Sequence, residues 1–337
     1  MATNLTVDDF DPLVVYSNFD DWFTPNPQDN PTWWNAGRNV TNSTWHQATY
    51  HYTEVVGAQA SFNFTGSSIA VYGGTGATGS IYSVTLDGNV VNLQLANSTG
   101  RTLLYDAKVT DGAHELTIVN GGSGLLLDLF VVGLSLGGEG VTLTNTTLDD
   151  RNLNIAYQGN WTQQTGPNFH SQTSTYTSGP GNAVSFIFSG SAVYVYGDQV
   201  NDHGDYTVTL NGSVVGQYTG RSGCGGGYAK ACEKLHGLKF FASGLSPGTH
   251  ALRIENGGPA EGNQTFFDLD YIEYTVSSGI SSGTGSGACT SGTCSVSAGS
   301  APSPTGTGSS SSGATSAAAP VALLCGVLAA WFAKTFL

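Results

Sequence analysis

The chain predicts an all-β protein of two tandem β-sandwiches, then a low-complexity stalk and a terminal hydrophobic segment. Three observations carry this. Ala60 to Asn89 returns without a gap 124 residues later as Val184 to Ser213. Apolar residues alternate with polar ones inside each copy, as a half-buried strand requires. Asp87-Gly88 and Asn211-Gly212 fall at the ends of such runs, where positive φ angles make tight hairpins.

The duplication is read from matched segments. Ser61-Phe62-Asn63-Phe64-Thr65-Gly66-Ser67 matches Ser185-Phe186-Ile187-Phe188-Ser189-Gly190-Ser191, and Tyr82 to Gly88 matches Tyr206 to Gly212. Asp8-Asp9 and Tyr16 pair with Asp149-Asp150 and Tyr157 at an offset of 141, so the front of the first copy is longer. His114 pairs with His250 at an offset of 136, so the second copy has gained 12 residues, Cys224 and Cys232 among them. A period this long means two whole domains, 4–137 and 141–277, each of a size that can fold alone.

Within a repeat, Phe62 and Phe64 share one face and Asn63 the other; Tyr82, Val84 and Leu86 repeat the pattern. No run of ten or more residues before the C-terminus has helical periodicity. Short, evenly spaced strands mean a sandwich. Charged residues are 10% of the chain, with 24 acidic against 10 basic, a balance that repels phosphate backbones and excludes nucleic acid as a partner.

Residues 278–316 are mostly Gly, Ser, Thr and Ala, a composition that cannot form a core and reads as a stalk. Residues 317–337 are a hydrophobic tail, whose seventeen mostly apolar residues from Ala317 to Ala333 are at the short limit of a membrane span. With small residues at Ser311, Ser312 and Gly313, the tail predicts a GPI-attachment signal; a retained single span is the alternative. The expected address is the extracellular face of a membrane or a wall, although Met1 leads into the first repeat with no visible signal peptide. Nine sequons, at Asn4, Asn39, Asn42, Asn63, Asn97, Asn145, Asn160, Asn211 and Asn263, are candidate glycosylation sites. Cys224 with Cys232, and Cys289 with Cys294, are candidate disulfides.

The segment order of the second copy resembles a known family. It runs through Tyr157-Gln158-Gly159-Asn160-Trp161, Phe169-His170, Gly181 to Gly197, Asn201-Asp202-His203-Gly204 to Gly212, Gly248-Thr249-His250 and Leu269-Asp270-Tyr271. This resembles the galactose-binding-like jelly-roll modules found in tandem in basidiomycete fungal surface proteins. The resemblance covers about residues 4–277 and implies a fold, a cell-surface address and a distant kinship with carbohydrate-binding modules, but no ligand.

Candidate ligand contacts are aromatic residues with a polar neighbour, since a flat ring stacks on a sugar while a side chain bonds a hydroxyl. Trp45-His46 aligns with Phe169-His170; the competing reading is a structural pair. Asn201 and His203 lie on a loop, Trp33 and Trp34 in a polar insertion, and Tyr228 beside the inserted cysteines. Trp22 and Trp161 read as core. Asp9, Asp128, Asp150 and Asp270 sit at first and last strands, which adjoin in a jelly roll, so they are candidate ligands of a structural Ca²⁺; bonds to turn amides are the alternative. A glycosidase needs two carboxylates across a groove about 5–10 Å apart, which duplicated terminal aspartates serve poorly. The expectation is therefore a non-catalytic, surface-tethered glycan-binding or adhesion protein, with a structural wall glycoprotein or a polysaccharide hydrolase as alternatives.

Overall fold

The computed structural model describes residues 2–24, 44–76, 79–98, 100–122, 124–137, 140–221, 234–246, 248–258 and 265–278. Trp33, Trp34, Tyr228, the cysteines, Asn39, Asn42, Asn263, Ser311, Ser312, Gly313, the stalk and the tail lie outside them. Among the described residues no helix is long and apolar enough to cross a membrane.

The first repeat has eight strands: β1 (Ala2–Asp8), β2 (Val14–Tyr16), β3 (His51–Thr53), β4 (Gln59–Thr75), β5 (Ser80–Leu86), β6 (Asn89–Leu95), β7 (Thr102–Asn120) and β8 (Leu125–Ser135). They run antiparallel in the order β1-β8-β4-β7-β5-β6, with β2 beside β4 and β3 beside β8. The long β4 serves two layers. Up to Gly66 it pairs with β2 and the far half of β7; after a register shift at Gly66 it pairs with β8 and the near half of β7. Phe62, Phe64, Val84, Ile118, Leu127 and Val132 fill the space between.

The second repeat follows the same path with its long strands cut. Its strands are β9 (Thr142–Asp149), β10 (Ile155–Gln158), β11 (Thr162–Thr165), β12 (Thr173–Thr177), β13 (Ala183–Ser189), β14 (Ala192–Gln199), β15 (Asp205–Leu210), β16 (Ser213–Thr219), β17 (Lys234–Ser243), β18 (Thr249–Gly258), β19 (Phe267–Leu269) and β20 (Tyr271–Ser278). One sheet is β10-β13-β18-β15-β16 and another β17-β14-β20-β9, with β11-β12-β19 as a small third. Both predicted hairpin tips form, joining β5 to β6 and β15 to β16. Asp87 and Gly88 have φ of 50° and 79°, and Asn211 and Gly212 have 52° and 82°, the two left-handed residues of a type I′ turn.

The two repeats share a layer, which the sequence does not announce. On β14, Val193 and Val195 enter the second core, while Ala192 and Tyr194 join the first together with Leu238 and Phe241 of β17. Ser243 Oγ donates to the carbonyl of Thr65 across the junction at 2.9 Å. The described residues up to Ser278 accordingly belong to one compact unit.

Candidate functional site

The first and last strands of each repeat are paired, as the sequence predicts: β1 with β8 and β9 with β20. This brings four aspartates together in two equivalent arrangements. In the first repeat Asp9 N donates to Asp128 O at 3.0 Å, and Tyr16 Oη to Asp9 O at 2.8 Å. In the second, Asp150 N donates to Asp270 O at 3.0 Å and Tyr157 Oη to Asp150 O at 2.7 Å. The carboxylates then meet the one-turn helices that follow Trp45 and Phe169. His46 N donates to Asp128 Oδ1 at 2.7 Å and His170 N to Asp270 Oδ1 at 2.9 Å.

That pairing revises several expectations. Donors already meet these carboxylates: Thr49 Oγ1 lies 3.1 Å from Asp9 Oδ1, and Thr173 and Thr175 donate to Asp150 at 2.7 and 2.5 Å. Among the described residues no group of three or more His, Cys, Asp or Glu side chains is arranged to hold a metal ion. The turn-amide alternative to Ca²⁺ describes what Asp128 and Asp270 do. In both repeats the backbone amide at this position, His46 or His170, satisfies a buried carboxylate. Their rings lie half-buried, and His170 packs 4.8 Å from Tyr271.

His203 is also not the exposed loop contact it was expected to be. It is buried, with Nε2 3.0 Å from Asp268 Oδ1 and Nδ1 3.2 Å from Asp202 Oδ1. Lys239, fully buried, lies 3.0 Å from the same Asp268 oxygen. Burial opposes the charge on Asp268, but Lys239, His203 and the Asp198 amide outweigh it and hold the carboxyl below its ordinary range. Asn201 is half-buried beside this network. Trp22 is core, while Trp161 is half-buried at the edge, packed 4.9 Å from Tyr157 with Nε1 donating to Gln158 O at 3.0 Å.

The first repeat builds a denser charge cluster than the second. Asp8, Asp9 and Asp11 are all buried at the end of β1. Lys234, from β17 of the other repeat, reaches them with no exposure of its own, pairing with Asp8 Oδ2 and lying 3.1 Å from Asp11 Oδ1. These carboxylates raise its pKa against the burial that would lower it. His51 Nδ1 sits 2.7 Å from Asp9 Oδ2. Burial, then the Lys234 charge, lowers His51 to about 3, so the ring is neutral at physiological pH. Burial and the charges of Asp8 and Asp128 push Asp9 well up.

Asp128 is buried like its neighbours, but its partner Arg101 reaches the surface. Burial raises its carboxyl to about 7, opposed by the His46 amide, helped by Asp8 and opposed again by Arg101. Arg101 Nη1 lies 3.3 Å from Asp128 Oδ2, and its side chain is 41% exposed. Leu126, two residues before Asp128 on β8, lines an aromatic groove of about 700 Å³ together with Trp22, Phe23, Tyr50 and Tyr52. Trp45 closes on it, 5.6 Å from Tyr50. Sequence reasoning missed Lys234, Arg101, His51 and the groove aromatics. The one available signal was Lys234 and Lys239 alternating with apolar residues in a strand, an uneconomical place for exposed lysines.

Comparison with known proteins identifies relatives for part of the chain. It is 25% identical over 216 residues, 63% of its length, to the A type blood alpha-D-galactosamine galactosaminidase of Flavonifractor plautii, covering 19% of that protein. It is 29% identical over 127 residues, 38% of its length, to the A type blood N-acetyl-alpha-D-galactosamine deacetylase of the same organism, covering 14% of it. The chain thus spans less than a fifth of either curated relative. No family model matches. Among solved structures, a family two carbohydrate esterase from Cellvibrio japonicus aligns with 40% of this chain and 34% of its own at a TM-score of 0.29 and 14% identity. The ANXUR2 extracellular domain from Arabidopsis thaliana aligns with 82% and 97% at a TM-score of 0.28 and 9% identity. Both curated relatives are named as carbohydrate-processing enzymes. This overturns the expectation of a non-catalytic adhesion protein.

Proposed function

We propose that this chain acts in the enzymatic processing of carbohydrate, as a glycoside hydrolase or carbohydrate esterase working on an amino-sugar glycan. The observation that carries this is Asp128. A carboxyl with a pKa of about 7, bonded to the partly exposed Arg101 and two residues along β8 from Leu126 of the aromatic groove, has the properties of a general acid. Its O–H would protonate the leaving oxygen as the scissile C–O bond breaks, while a water oxygen bonds to the carbon that loses it and the water's proton returns to the carboxylate. Trp45 and the groove aromatics would stack on sugar rings and fix the bond beside that proton. The relatives' named activities support the same reading.

The test is turnover by the full chain on nitrophenyl glycosides of galactosamine and N-acetylgalactosamine, with nitrophenol and acetate release followed separately. Release that falls about 10²-fold or more in Asp128→Asn, with the fold intact by circular dichroism, supports the assignment. A folded chain that releases neither product overturns it.

A further inference from the structure

The groove beside Asp128 has a chemistry that goes further than a general affinity for sugars. Three rings stand along it: Phe23, Tyr50 and Tyr52. Phe23 is 57% exposed, yet its backbone is clamped to Tyr52 by reciprocal hydrogen bonds of 2.6 and 2.7 Å, so an apolar ring is held open to solvent. Phe23 lies 6.4 Å from Tyr50, and Tyr50 5.6 Å from Trp45, so the rings lead towards the His46 amide that holds Asp128.

Between and beside the rings stand carboxylates. Asp20, Asp21 and Glu54 line the groove, and among the described residues no Lys, Arg or His joins them. Their positions are set by the fold. Asn18 Oδ1 accepts from Asp20 N at 3.1 Å, capping the short turn that carries Asp20 and Asp21. Tyr52 Oη donates to Glu54 Oε1 at 2.7 Å, and burial, then this bond, push the phenol up to about 12. At the floor, the buried indole N–H of Trp22 meets no acceptor among the described residues.

From this geometry we infer that the groove binds a glycan whose amino groups are free and therefore cationic, in preference to its N-acetylated form. The inference rests on the carbohydrate-processing reading and specifies its substrate class. Sugar rings stack their C–H faces on Phe23 and Tyr50, and an ammonium group pairs with Asp20, Asp21 or Glu54 while gaining cation–π attraction from the same rings. Acetylation removes the charge and leaves a bulky neutral amide facing carboxylates. An anionic glycan is repelled by the groove and by the chain's net charge of -14.

The experiment measures binding, not turnover. The full chain carrying Asp128→Asn is titrated calorimetrically with the hexamer of glucosamine and with the hexamer of N-acetylglucosamine, at 50 and 500 mM salt. The free-amine hexamer should bind at least tenfold tighter and weaken at high salt. A variant with Asp20→Asn, Asp21→Asn and Glu54→Gln should lose that preference, while Phe23→Ala should weaken both ligands. Equal affinity for the two hexamers, a preference that survives the triple substitution in a folded protein, or no binding of either, overturns the inference. Binding with the expected preference in a chain that shows no turnover would sink the catalytic assignment alone.

Discussion

Lys234 Nζ lies 3.1 Å from Asp11 Oδ1, joining a strand of the second repeat to the buried acidic turn of the first across 223 positions of sequence. Leu238 N donates to the same Asp11 oxygen at 2.9 Å, so backbone and ammonium from one strand converge on one carboxylate. Three carboxylates without that ammonium would be buried with no counter-charge.

Lys234→Met should therefore cost about 3–5 kcal/mol, the penalty of leaving buried charges unpaired. Urea denaturation of the full chain measures it. Because the repeats share a layer, a single cooperative transition should move to lower urea; two transitions, with the second repeat unaffected, would contradict the shared unit.

Tyr206→Phe should cost about 1–3 kcal/mol. Tyr206 Oη donates to the buried carbonyl of Lys239 at 2.7 Å, and Tyr82 Oη makes the equivalent bond to Leu104 O at 2.7 Å. Removing the hydroxyl strands a buried acceptor. Tyr82→Phe should behave alike, so thermal melts of the two variants should shift in the same direction by similar amounts.

The contribution of Asp128 to stability should fall as pH rises from about 5 to 8. Asp128 has a folded pKa of about 7, above its unfolded value, so its contribution is fully present below the unfolded pKa and lost as pH passes through 7. Asp9 and Asp11 are raised too and have the same sign. Asp268 is lowered, so its contribution persists through this window and fails only in strong acid. Denaturation midpoints measured across the window should show a shallower slope for Asp128→Asn than for the native chain.

Gly73→Ala should destabilise the first repeat severely. A Cβ there would lie 1.9 Å from the carbonyl oxygen of Leu126 on the paired strand, and backbone cannot step aside as a side chain can. Gly88→Ala makes the contrasting case: it meets nothing within 4 Å, but its φ of 79° should cost about 1 kcal/mol. Comparing the two melts separates a steric clash from a conformational penalty.

Much of this fold was legible along the chain. The spaced matches revealed the duplication, the alternation of Phe62 and Phe64 named a core face, and Asp87-Gly88 and Asn211-Gly212 fixed two hairpins. Each is a local property, set by side-chain period or by the φ angles a dipeptide accepts. Asp9 with Asp128, and Asp150 with Asp270, were likewise placed on first and last strands, which adjoin in a jelly roll.

The candidate site was decided elsewhere. His203 carries the same residue symbol whether a loop offers it to solvent or folds it against Asp268, and only packing buries it. Nothing local links Lys234 to Asp8, or Phe23 and Tyr50 to Asp128, because those contacts depend on which sheets stack and at what register. By itself the sequence determined the strands, the turns and the repeat, which follow from neighbours a few residues apart. Tertiary structure alone decided which carboxylates are paired, which is held protonated near neutrality, and which aromatic rings stand in an open groove, since burial and charge proximity arise only when distant strands meet.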